Sequence, residues 1–176
     1  MKNLVHYNKN ERYIKYLCHF HFDQDFFECH EILEEQWKLE LNDDYKKVWL
    51  GLIRLSVVLY HYRRKNFTGA KKLMRHVISF SNDSSLLEMA GIDPIRFKQI
   101  ISDLQLNIQN ETDFHHFELP INDQELVKGY QNQKEHYASF TEDLMNKHST
   151  RDRSDVISER LKQLELRKKK IESKQK

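Results

Sequence analysis

The sequence predicts an all-α protein, and three observations carry that expectation. Only 4 Gly and 2 Pro occur in 176 residues, too few for the many tight turns of a sandwich or barrel. Residues 48–60 are apolar almost all round, which marks a helix enclosed by others. Elsewhere apolar residues recur at three- and four-residue spacing, not in alternation. The predicted architecture is a compact helical bundle around a central apolar helix, with a C-terminal charged helical tail.

The elements follow in order. A first helix is predicted over about residues 10–22, with Tyr13, Ile14, Leu17 and Phe20 facing inward. Asp23-Gln24-Asp25 reads as a turn, and Asp25 as the N-cap of a second helix, Phe26 to Leu39, with Glu28 three residues later as its capping-box partner. Asn42 or Asp43 caps the central helix, which runs to about Lys65. In the next helix Ala70, Leu73, Met74, Val77 and Phe80 share one face, and Lys71, Lys72, Arg75 and His76 the other. A short helix spans about Leu86 to Ala90 and stops at Gly91. Asp93-Pro94, an N-cap with proline at the first helical position, then starts a helix reaching about Asn107. FHHFELPIN reads as extended, and the last third as weakly periodic polar helix.

Composition bounds the rest. With 39% hydrophobic and 32% charged residues the chain is neither disordered nor a membrane protein. Two domains of behaviour are expected: a helical domain over 1–149 and a basic tail over 150–176, where ten Lys/Arg face five Asp/Glu. Cys18 and Cys29 form no CxxC or disulfide framework, which fits a reducing compartment. The start MKNLVHYNKN has no apolar signal region, and the stretch from Val48 to Tyr60 is short and broken by Arg54. A cytoplasmic location without membrane contact is expected.

One cluster of polar residues stands out. At about 100° per residue, Phe26, Cys29, Leu33, Trp37 and Leu41 form one stripe, with His30 inside it and Glu34 at its edge. Glu28, Glu31 and Glu35 fall opposite, where a solvated acidic face is the plain reading. On the central helix Lys47, Arg54 and His61 recur every seven residues as one polar line. Such a line meets solvent, or it meets His30 and Glu34. A buried Arg54 would need a carboxylate, and its fork suits Glu34 or Glu31. His30-Glu31-Ile32-Leu33-Glu34 is also an H-E-x-x-E, one substitution from the zinc-protease motif. His30, Glu34 and His61 are then the candidate ligands for zinc, manganese or iron, with Glu31 as candidate base. A hydrogen-bond network without metal is favoured over that site, so no metal or cofactor is the favoured expectation. Asn66-Phe67-Thr68-Gly69-Ala70 permits close backbone approach at the next corner. Cys29 faces the core and is set aside as a nucleophile.

FFECHEILEEQW followed by GLIRLSVVLYHYRRKNFTGAKKL resembles domain-of-unknown-function family 309, small and mostly bacterial all-helical proteins, over about residues 13–75. The matching positions are Phe26, Phe27, Glu28, His30, Glu31, Glu34, Trp37, Gly51, Leu52, Ile53, His61, Asn66, Gly69 and Ala70. The chain departs from the pattern at Arg54, where Gln is usual, at Lys65, where Gly often precedes Asn66, and at Asp25, where Gly is common. The resemblance implies a fold and no reaction.

Three functions compete. The favoured one is a non-catalytic protein-interaction or structural module whose Glu28, His30, Glu31, Glu34, Arg54, His61 and Asn66 form a buried network, with a protein partner or self-association. The alternative is a metal-dependent hydrolase using His30, Glu34 and His61. The third is a nucleic-acid accessory role for the tail, where Ile157, Leu161, Leu164 and Ile171 form a thin apolar seam. That tail lacks aromatic residues for base stacking, and the chain carries only +2 net charge.

Overall fold

The computed structural model describes residues 10–143. The tail expected at 150–176, and the ends of the expected 1–149 domain, lie outside the described residues. Among them seven α-helices run to completion and no strand forms; one isolated antiparallel bridge joins Ile92 to Ile121. None of these helices is long and apolar enough to cross a membrane.

Helix α1 is Glu11–Cys18, capped by Asn10, whose Oδ1 accepts from the amides of Arg12 and Tyr13 at 3.0 and 3.1 Å. The predicted first helix continues past Cys18 in a different form, a π-helical turn over His19–Asp23 that ends in a left-handed Gln24 at φ 54°. His19 Nδ1 lies 2.9 Å from Asp23 Oδ2 and ties the turn end to end. Helix α2, Phe26–Leu39, is capped by Asp25, which accepts from Glu28 N at 3.0 Å. The second half of the expected capping box belongs to another residue: Asp25 N donates to Asp23 Oδ1 at 3.1 Å.

Helix α3, Asp43–Arg63, starts at its cap Asn42 and is the centre of the fold, packed against α2, α4 and α5. Val48, Trp49, Leu52, Leu55, Ser56, Val58, Leu59 and Tyr62 are all at most 1% exposed. Helix α4 is Phe67–Ser81, α5 Ser84–Met89, α6 Pro94–Gln109 and α7 Gln124–Gln131, capped in turn by Asn66, Asp83, Asp93 and Asp123. A short 3₁₀ turn, Lys134–His136, follows α7.

The extended run after α6 is stitched to the helices by backbone bonds, which meets the needs of chain that has no ladder of its own. Asp93 N donates to Pro120 O at 2.8 Å and Asn122 N to Gly91 O at 2.9 Å. The Tyr62 hydroxyl donates to Asp113 O at 2.8 Å. At the other end of the core the Tyr13 hydroxyl donates to Ala90 O at 2.7 Å, joining α1 to the end of α5.

Candidate functional site

The buried stripe of α2 is shorter than its sequence suggests. Phe26, Cys29 and Leu33 are fully buried, but Trp37 is 36% exposed and Leu41 93%. The core contact is therefore centred nearer Cys29 and Leu33, which puts His30 at its border. The His30 side chain is 29% exposed, not enclosed. Phe27, His30, Glu31, Glu34 and Trp37 make a continuous ridge at i, i+3, i+4, i+7 and i+10, and each of them reaches solvent to some degree.

The polar partners of His30 are both on its own helix. Nδ1 lies 3.1 Å from Glu31 Oε1, and Nε2 3.9 Å from Glu34 Oε2, an ion-pair distance too long for a hydrogen bond. Glu34 also pairs with Lys38 at 3.0 Å. Donor atoms of His30, Glu31 and Glu34 all lie within 4.8 Å of one another. The triad of potential ligands is thus completed by Glu31 and not by His61.

His61 has a different role, set by three residues of the α3–α4 corner. Gly69 N donates to Asn66 Oδ1 at 3.0 Å, which fixes the amide and leaves its NH₂ group pointing at His61 Nδ1, 2.9 Å away. Nδ1 must therefore accept, so neutral His61 carries its proton on Nε2. Burial, then the nearby Arg64, pushes the His61 pKa down, and the ring stays neutral at pH 7. A Cβ on residue 69 would lie 2.8 Å from Asn66 Nδ2 and 3.0 Å from His61 Cγ, so glycine is what lets these three approach.

Between α2 and α3 a cavity of about 190 Å³ is lined by Phe26, Phe27, His30, Val57, Tyr60 and His61. Its walls are aromatic and aliphatic, and the two histidines come from the two sequence motifs. A larger cleft of about 560 Å³ between α1 and α2 is faced mainly by charged and amide side chains such as Arg12, Lys15 and Glu35. It has no comparable apolar floor.

Arg54 does not reach this site. It lies across a separate cavity between α3 and α4 with Lys47, His76, Phe80 and Asp83, about 10 Å along the helix axis from His61. Lys47 pairs locally with Asp44 at 2.9 Å. Glu28 is half-buried on the side of α2 away from the ridge. The arginine that does enter the α2 side is Arg63, which sequence reasoning missed. Its Nη1 donates to Gln24 O at 2.7 Å, and its guanidinium stands 4.6 Å from the Phe26 ring centroid and 4.7 Å from that of Phe140. Burial pushes its pKa down to about 10, with Asp25 the main opposing influence. The aromatic richness of FHHF was the only hint of such a seat.

Fold and site together define a small helical domain whose second and third helices enclose a histidine-flanked aromatic pocket. The chain belongs to the family described as Domain of unknown function (DUF309), whose model matches residues 13–73, from α1 into α4. It is 39% identical over 166 residues to "Uncharacterized protein YpuF" of Bacillus subtilis (strain 168), covering 89% of this chain and 95% of that protein. It is 37% identical over 59 residues to an "Uncharacterized protein" of Aquifex aeolicus (strain VF5), covering 33% of this chain and 18% of that one. No solved structure matches it significantly.

Proposed function

We propose that the protein is a non-catalytic helical interaction module of the cytoplasm that binds a partner protein along the α2–α3 face. The carrying observation is the α2 ridge, where Phe27 and Trp37 flank His30, Glu31 and Glu34 and each of the five is at least partly open to solvent. Aromatic residues half open to solvent beside a cavity are the usual anchors of protein interfaces. The remaining residues of the resemblance have structural work already: Gly69 and Asn66 orient His61, and Gly51 lets Phe80 approach. Two free, fully buried cysteines accord with a reducing compartment.

A photo-crosslinking amino acid at Trp37, in the full chain in its native host, is expected to give a discrete product. Its yield should fall severalfold when Glu31→Lys and Glu34→Lys are added. The same group at exposed Lys98 on α6 is the control. Equal products from both positions, or none from Trp37 in normally folded protein, would overturn the reading. If the product is a dimer, the partner is a second copy.

The short separations among His30, Glu31 and Glu34 favour a second reading, a divalent-metal site with one imidazole and two carboxylates, a donor set suited to manganese, iron or zinc. Calorimetric titration of the full chain with Mn²⁺ or Zn²⁺ tests it; binding lost in His30→Ala supports it, and binding unchanged in that variant excludes it. The nucleic-acid reading concerns the tail alone, outside the described residues.

A further inference from the structure

The pocket between α2 and α3 is built to take one particular kind of group. Its volume of about 190 Å³ is below the roughly 300–1,000 Å³ of sites that hold cofactors or drug-sized ligands. It suits a single apolar side chain, since Phe26, Phe27, Val57 and Tyr60 supply most of its wall.

The polar groups around it are not symmetric. On the α2 side stand Glu31 and Glu34, both partly exposed, Glu31 beside His30 and Glu34 paired with Lys38, and the sequence from Phe26 to Leu39 holds four Glu against one Lys. On the α3 side Arg64 sits over the outer face of Tyr60, 5.4 Å from its ring centroid. His61 adds a directed donor there. Asn66 holds Nδ1 in the accepting role, so His61, one of the residues lining the pocket, carries its proton on Nε2.

Resting on the interaction reading above, we propose that this pocket receives an aliphatic anchor side chain of a partner helix, flanked by Lys or Arg over Glu31 and Glu34, with a partner oxygen accepting from His61 Nε2–H. The apolar contact supplies affinity and the acidic rim selects the partner and its direction. An acidic partner would set its carboxylates against those of Glu31, beside His30, and Glu34, paired with Lys38.

The probes are N-acetylated, C-amidated helical peptides of about fifteen residues, long enough to form helix. One carries a central Leu among Ala and Lys, one has that Leu replaced by Ser, and one has Lys replaced by Glu. Binding to the full chain is followed through the ring protons of His61 by NMR. The Leu/Lys peptide is expected to saturate, and the Leu-to-Ser change to weaken it about tenfold or more, as expected for loss of one buried aliphatic side chain. The Glu peptide is expected to show no saturation. Val57→Phe fills the cavity and should erase the difference between the Leu and Ser peptides; if that variant fails to fold, Phe27→Ala removes a wall and should shrink the same difference. Equal binding of the Leu and Ser peptides, or tighter binding of the Glu peptide, overturns the proposal. Should these peptides fail while Trp37 still cross-links to a partner, the anchor proposal falls and the interaction reading stands; failure of both experiments removes both.

Discussion

Lys65 is the residue where departure from the family pattern has a measurable cost. It sits between α3 and the cap of α4 at φ 56°, in the left-handed region that L side chains adopt only at a cost. Glycine, which the pattern often places there, adopts it freely. The backbone has to turn here, because Lys65 N donates to Tyr62 O and Asn66 N to His61 O, both at 2.9 Å, closing α3. The Lys65–Asp113 ion pair at 2.9 Å joins side chains 71% and 80% exposed, so water and salt screen most of it. Lys65→Gly is therefore expected to stabilise the protein, raising Tm by about 2–4 °C in a calorimetric scan. A fall in Tm would mean that the ion pair outweighs the backbone relief. The same reasoning moves the turn before α2: the left-handed residue is Gln24, while Asp25 has φ −78° and no need of glycine.

At the scale of elements, the close crossing of α3 and α4 depends on Gly51. A Cβ there would lie 2.5 Å from two ring carbons of Phe80 and 2.7 Å from a third, and the ring is 6% exposed with little room to move. Gly51→Ala is expected to destabilise by about 1–3 kcal/mol in urea melts, as overpacking does. Adding Phe80→Leu should recover part of the loss, and a Gly51→Ala protein as stable as the parent would refute the close-packing account. The helices themselves were legible where their start signals are local: Asp25, Asn42 and Asp93 cap the helices that follow them, whereas Asn66, which reads from the sequence only as part of a close corner, proves to be the cap of α4. The π-helical turn was not legible, since its ladder shift leaves no pattern distinct from a helix end. The site was only half legible for a related reason. A helical wheel gives an angle but not the neighbour at that angle, so Arg54 was aimed at α2 when it lies toward α4. Arg63, two residues past the line Lys47-Arg54-His61, took the seat among aromatic rings that come from distant sequence.

At the scale of the whole described fold, two partly buried histidines packed among aromatic rings, His21 and His116, should make the protein sensitive to acid. His21, in the π-helical turn, stacks on Tyr130 of α7 with centroids 4.8 Å apart and planes at 8°. His116, in the extended run after α6, stacks on Phe117 and stands near the rings of Phe20 and Phe26. His21 Nε2 and both ring nitrogens of His116 are buried with no hydrogen-bond partner among the described residues. Burial first, then the positive charge that His116 can carry, pushes the His21 pKa from its usual 6.5 down to about 4. Burial, then Arg63, pushes His116 down as well. Because the folded pKa lies below the unfolded one, the unfolded chain binds more protons between these values. The stability from keeping His21 neutral is complete above about pH 6.5 and is lost as the pH falls toward 4. The shift corresponds to about 3 kcal/mol from His21. Urea melts at about pH 7 and about pH 5 should show the native protein weakening over this interval, before the bulk of the carboxylates titrate. His21→Phe keeps a ring against Tyr130 and removes the ionisation, so its stability should change less between the two pH values. If the two proteins lost stability in parallel, the acid sensitivity would belong to other groups, and the contact joining the π-helical turn, the extended run and α7 would have no part in it.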